Sequence, residues 1–114
     1  MTWRLTVRHG SEVKREQLGG LDEAIAALEQ RAEAIRSEGP LPEVQMFRTY
    51  EPEQRVHARL ELTGPGRLRR PEVGLDVMGD GRLVAYRGTI FKRPLEPPRG
   101  GTAYDAIRAA LAAT

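Results

Sequence analysis

The segment VGLDVMGDGRLVAYRGTIF, residues 73–91, contains the strongest structural signal in this 114-residue chain. Apolar and other residues alternate over Val73–Met78, which is the period of a strand with one buried face. The triplet GDG at 79–81 tolerates the positive φ angles that a tight hairpin connection requires. The return strand, Arg82–Phe91, has apolar residues on both faces, so we expect it to be the more central and more buried of the two.

The same alternation predicts four strands upstream of this hairpin. They are Trp3–Arg8, Ser11–Gln17, Glu43–Tyr50 and Val56–Thr63. The second is mostly polar and has only Val13 to bury, which is typical of an edge strand. The last two are expected to pair with each other across the turn that contains Pro52.

Two helices are predicted, one in the first third of the chain and one at its end. The first runs from about Asp22 to Ser37, because apolar residues recur there at steps of three and four and Gly39 suits the position just past a helix end. Its apolar stripe is Leu21, Ile25, Leu28, Ala32 and Ile35. The second begins near Thr102, which precedes Asp105 by the three residues of a capping box.

These elements follow the order ββαββββα, which predicts a single α+β domain over residues 1–114. We expect a mostly antiparallel sheet of about six strands, with both helices packed on one face. The side chains expected to share the core are Leu75, Val77, Val56, Ala58, Leu60, Ile25, Leu28, Ile35, Ile107 and Leu111.

Composition excludes several classes of protein. The chain is 39% apolar and 30% charged, as in ordinary globular proteins, and no apolar run approaches the length of a membrane span. It contains no cysteine, which excludes disulfides, thiol catalysis and cysteine zinc sites. The first residues lack the apolar core of a signal peptide, so a cytoplasmic protein without membrane contacts is expected.

The chain has two histidines, His9 and His57. His9 is predicted to lie in a turn, and His57 on the polar side of its strand. A catalytic histidine needs a positioned partner and a nucleophile or a proton to move, and no known catalytic motif surrounds either residue. Both are therefore interpreted as solvated surface residues, and no catalytic, cofactor-binding or metal-binding residue is predicted.

Asp76 and Asp80 approach the same hairpin turn and could in principle bind a hard cation. Such a site usually needs six or more oxygen ligands, and the spacing of a calcium loop is absent. A turn-forming role is the better interpretation for Asp80. The glycine pairs at 64 and 66 and at 79 and 81 lack the further residues of a nucleotide-binding loop.

One basic loop has functional promise. Arg67, Arg69 and Arg70 lie between Gly66 and Pro71, where the backbone is expected at the surface. Together with Lys92 and Arg93 in a later connector, these residues could track a phosphate backbone. A solvated charged loop is the competing interpretation, because aromatic residues for base stacking are few.

The sequence thus predicts a small non-enzymatic interaction module without a cofactor. It would bind a protein or a small ligand, and could form a homodimer through a sheet edge or its alanine-rich helices. The alternative is a nucleic-acid-binding domain that uses Arg67, Arg69, Arg70, Lys92 and Arg93.

Overall fold

The fold is described from a computed structural model, which covers residues 2–39, 44–45, 49–50, 56–66, 70–88 and 92–112. Ten elements follow one another along the chain. They are β1 (Trp3–His9), β2 (Glu12–Leu18), α1 (Leu21–Arg36), β3 (Val44–Gln45), β4 (Thr49–Tyr50), β5 (Val56–Thr63), β6 (Glu72–Met78), β7 (Leu83–Arg87), β8 (Arg93–Pro94) and α2 (Ala103–Ala112).

Six strands form one antiparallel sheet in the order β2-β1-β5-β6-β7-β8. The predicted α+β class, the six-stranded antiparallel sheet with two helices and the overall order of strands and helices are confirmed. The sixth strand of this sheet is β8, however, and not the predicted strand Glu43–Tyr50, which contains the two short strands β3 and β4 instead. The predicted pairing across Pro52 is wrong: β5 lies between β1 and β6, while β3 and β4 pair with each other in a separate two-stranded sheet. Because a strand has only two neighbours, the long ladders to β1 and β6 exclude any other partner for β5.

Both helices cover the same face of the main sheet. One buried cluster joins both helices to the sheet. It uses alternate positions of β1, β5, β6 and β7, which include Leu5, Leu60, Leu75 and Ala85. The predicted core is confirmed at nine of its ten positions, and Val56 is the exception. The opposite face of the sheet is not covered by either helix, so its side chains define an open face.

The organising hairpin forms as β6 and β7, but the burial of its strands is the reverse of the prediction. Five consecutive residues of β6 are buried, because β6 lies inside the sheet and the open-face positions are also covered by side chains. Strand β7 is shorter and less buried, and Ile90 and Phe91 of the predicted return strand lie outside the described residues. Asp80 forms the turn, since its carboxylate accepts the Arg82 backbone N–H at 2.9 Å.

The other local predictions agree with the structure in most details. Helix α2 begins with a reciprocal capping box, in which the Asp105 N–H donates to the Thr102 hydroxyl and the Thr102 N–H donates to the Asp105 carboxylate. Strand β2 is an edge, as expected, although Val13 lies on the open face and is 43% exposed. A homodimer through this edge stays a prediction. Within the described residues, neither helix has the length and hydropathy needed to cross a membrane.

Candidate metal centre

A β-bulge at His57 alters the direction of its side chain. Val56 pairs with Met78 and Ala58 pairs with Val77, so two steps along β5 correspond to one step along β6. The extra residue reverses the side-chain alternation beyond it. As a result Val56 is 44% exposed, whereas the His57 side chain is only 11% exposed. The predicted buried Val56 and solvated His57 are therefore both wrong.

His9 approaches the same place from the neighbouring strand. It is the last residue of β1 rather than part of a turn, and it pairs with Ala58 of β5. It lies on the same face of β1 as Leu5 and Val7, which is the face that the helices cover. Its side chain is 32% exposed, so His9 is partly shielded.

The third residue, Glu38, follows the end of α1. The Glu38 N–H donates to the Ile35 carbonyl, and the Gly39 N–H donates to the Arg36 carbonyl, both at 3.1 Å. Gly39 has a φ of 89°, which favours glycine and turns the chain away from the helix axis. This closing turn places Glu38 above the ends of β1 and β5, with its side chain 50% exposed.

The donor atoms of these three side chains converge on one point. The Nε2 atoms of His9 and His57 lie 3.2 Å apart, and Glu38 Oε1 lies 3.4 Å from the former and 3.9 Å from the latter. Ligand atoms on a tetrahedral ion with bonds of about 2.0–2.1 Å are about 3.3 Å apart. His9, Glu38 and His57 could therefore hold one metal ion, and we call them the metal centre.

Hydrogen bonding offers a competing account of the same geometry. A neutral imidazole donates through one nitrogen and accepts through the other, so one histidine could donate from Nε2 to the other. The rings meet edge to face, with centroids 4.9 Å apart. If the two imidazoles form only this hydrogen bond, the protein takes up no ion, and a metal titration separates the two accounts.

Two neighbouring features bear on access and charge. A groove of about 580 Å³ between the β1–β2 hairpin and α1 extends to His9, so an ion could approach from solvent. Glu12 pairs with His9 across β1 and β2 and lies on the same face. Its carboxylate is well exposed and pairs with Lys14 at 3.5 Å.

Of the five predicted nucleic-acid contacts, the structure describes Arg70, Lys92 and Arg93. Arg70 donates from Nε to the Gly66 carbonyl at 2.7 Å, whereas Arg67 and Arg69 lie outside the described residues. Lys92 lies 4.8 Å from the centroid of the Tyr86 ring, and Arg93 lies in the edge strand β8. Nucleic-acid binding stays a prediction.

Asp76 and Asp80 do not form a cation site together. Asp76 lies on the open face and accepts two hydrogen bonds from Arg59, while Asp80 caps its own turn. Sequence patterns do not predict the metal centre, because its residues are distant in sequence and the two histidines lie 48 positions apart. The rarity of histidine in this chain was the one signal that the sequence offered.

No protein family, curated protein or solved structure was found to match this chain.

Proposed function

We propose that this protein is a non-enzymatic ligand-interaction module whose ligand is a divalent transition-metal ion held by the metal centre. The observation that carries the proposal is the convergence of three donor atoms at separations of 3.2–3.9 Å. They come from three elements that are far apart in sequence, so the fold prepares the site before any ion binds. Such preorganisation lowers the cost of binding.

The donor set selects the class of ion. Two imidazole nitrogens and one carboxylate oxygen suit zinc, cobalt, nickel and copper, whereas magnesium and calcium prefer oxygen ligands. The carbonyl end of α1 lies beside Glu38 and adds a partial negative charge that favours a cation. Three protein ligands leave a further position for water or for Glu12.

The proposal is restricted to binding because the centre lies near the surface. Glu38 is half exposed and the groove beside His9 is open to solvent. Enzymes usually bind their reactants in concave sites from which water is largely excluded. An ion held here could stabilise the junction of β1, β5 and α1, or present a free coordination position to a partner.

The first experiment is a Zn²⁺ titration of chelator-treated, dialysed protein followed by NMR. The chain contains only two histidines, so each imidazole gives an assignable signal. Both signals should change together and reach their end point at one equivalent of Zn²⁺. Signals that change independently, or do not change in excess Zn²⁺, would rule the site out.

Single substitutions then assign the ligands. His9→Gln, His57→Gln and Glu38→Gln should each weaken Zn²⁺ binding by more than about 100-fold. Loss of a residue that only hydrogen-bonds to a metal ligand already lowers metal affinity 10–100-fold, and loss of the ligand itself should lower it further. Glu29→Gln removes an exposed carboxylate from the middle of α1 and serves as the matched control. Native protein at Zn²⁺ concentrations near 100 times Kd should gain about 2.7 kcal/mol of stability. The ligand variants should gain much less.

A further inference from the structure

A second cleft lies at the opposite end of β1 from the metal centre. Arg4 pairs with Gln17 on β2 and with Thr63 on β5, so these three residues lie side by side on the open face. The loop that follows β5 brings Arg70 to the same place. Together they line a cleft of about 290 Å³, completed by Thr2 and the backbone of Gly64.

The cleft is cationic. It contains two arginines, and none of the described residues that line it is an aspartate or a glutamate. Among the described residues, the Arg4 side chain has no hydrogen bond or ion pair. The nearest open-face acid on β5, Glu61, instead pairs with Arg8 at 3.2 Å. The charge of Arg4 is therefore not neutralised within the described part of the chain.

Arg70 is oriented by its own loop. Its Nε donates to the Gly66 carbonyl at 2.7 Å, which leaves the two terminal amino groups of the guanidinium for another acceptor. Gly66 has a φ of 134°, a conformation that L side chains rarely adopt, so the loop geometry depends on glycine at this position. The Arg70 side chain is thus partly ordered in the absence of a ligand, so that binding loses less side-chain entropy.

We infer that this cleft binds a phosphate group between Arg4 and Arg70. Guanidinium groups donate pairs of parallel hydrogen bonds that match the oxygens of phosphate, and threonine and glutamine side chains can donate to the remaining oxygens. The inference is independent of metal binding, because the cleft and the metal centre share no residue.

Two sources of this group share the same chemistry. One is free phosphate or the terminal phosphate of a small molecule, and the other is the backbone of a nucleic acid. Arg15 pairs with Thr6 on the open face, and Arg8 follows two residues further along β1. A phosphodiester strand could continue from the cleft along Arg15 toward Arg8, which already pairs with Glu61, whereas a free phosphate would use the cleft alone.

The test compares inorganic phosphate with a single-stranded oligonucleotide that has no terminal phosphate, using chelator-treated protein. Arg4→Gln and Arg70→Gln should each weaken binding by at least about tenfold, since a hydrogen bond to a charged group contributes about 1.5–3 kcal/mol. Arg99→Gln, which removes an exposed charge from the connector before α2, is the matched control. Circular dichroism verifies that each variant is folded.

Comparison of the phosphate and oligonucleotide titrations identifies the source of the bound phosphate group. Binding of inorganic phosphate that both variants weaken supports a small-anion site. Binding of the oligonucleotide alone, with the slope of log affinity against log salt reduced by about 0.7 in each variant, supports a phosphodiester site. Absence of binding in both arms, or native-like binding by the folded variants, overturns the inference.

Discussion

Tyr86 on β7 lies directly opposite Gly74 on β6, and its ring occupies the space that a Cβ atom at position 74 would need. Tyr86 is only 3% exposed, although its ring lies on the face of the sheet that no helix covers. Its hydroxyl donates to the Asp76 carboxylate at 3.3 Å, and Lys92 lies above the ring. This contact explains why β6 is buried on both faces.

The Tyr86–Gly74 contact predicts that Gly74→Ala destabilises the domain by about 1–3 kcal/mol. The added methyl group would displace the ring and weaken its hydrogen bond to Asp76. Urea denaturation measures the loss. Gly19→Ala is the control, because a Cβ atom there meets only an ordinary contact and should change stability by less than about 0.5 kcal/mol. Equal effects of both substitutions would contradict the prediction.

The pair of Arg59 and Asp76 provides a second prediction. Arg59 donates to the two Asp76 oxygens at 2.9 and 3.2 Å, and this pairing raises the pKa of Arg59. Arg59→Met should cost about 1–3 kcal/mol, because it leaves the largely buried carboxylate without its counter-ion. This expected loss of stability is smaller than the loss for a fully buried ion pair, because Arg59 is one-third exposed and solvent screens its charge.

A double-mutant cycle isolates the Arg59–Asp76 interaction. Adding Asp76→Asn to Arg59→Met removes the unpaired charge and should recover part of the lost stability, as measured in urea. Strictly additive effects of the two substitutions would show that the pair contributes no interaction energy.

The bulge in β5 predicts opposite behaviour for two valines that sequence alternation treats alike. Val56→Ala should change the free energy of unfolding by less than about 0.5 kcal/mol, because Val56 is 44% exposed. Val77→Ala should cost about 2 kcal/mol or more, because Val77 is fully buried and its truncation leaves a cavity. Thermal and urea denaturation compare them directly. A large loss at Val56 would mean that β5 is regular and that His57 faces the open side.

Tyrosine ionisation predicts alkaline unfolding. Burial, with the neighbouring carboxylates of Asp76 and Glu33, raises the pKa of Tyr86 and Tyr104 well above their usual value of 10.0. A raised folded-state pKa contributes stability that is complete below the unfolded pKa and is lost as pH rises through the folded value. Ionisation, followed by ultraviolet absorbance, should therefore coincide with loss of circular dichroism above about pH 10.

Tyr104→Phe tests the contribution of α2 to this transition. The substitution removes one ionisable group and the hydrogen bond from the Tyr104 hydroxyl to Glu33, which also lowers the pKa of Glu33. The free energy of unfolding of the variant should therefore fall less between neutral and alkaline pH than that of the native protein. Two tyrosines that ionise in the ordinary range, without unfolding, would contradict the assigned burial.

Much of the fold could be predicted because its signals are local. The stripe that includes Ile25 and Leu28 specifies α1 through spacing alone, and the Thr102–Asp105 capping box specifies the start of α2 through atoms within one turn. The turn at Asp80 is likewise satisfied by a hydrogen bond to a residue two positions later. Strand alternation and helical spacing together supplied nine of the ten expected core residues.

The tertiary structure decided which strands pair and where alternation fails. Nothing within Val56–Thr63 marks a bulge, because the extra residue exists only relative to the register with β6. That register moves Val56 to solvent and brings His57 beside His9, while the turn after α1 adds Glu38. In the same way, pairing of β1 with β5 places Arg4 beside the loop that carries Arg70. The sequence determined both helices and the strands β1, β2, β5, β6 and β7, since their energies are local. Strand β8 and both candidate sites depend on contacts that only the packed sheet fixes.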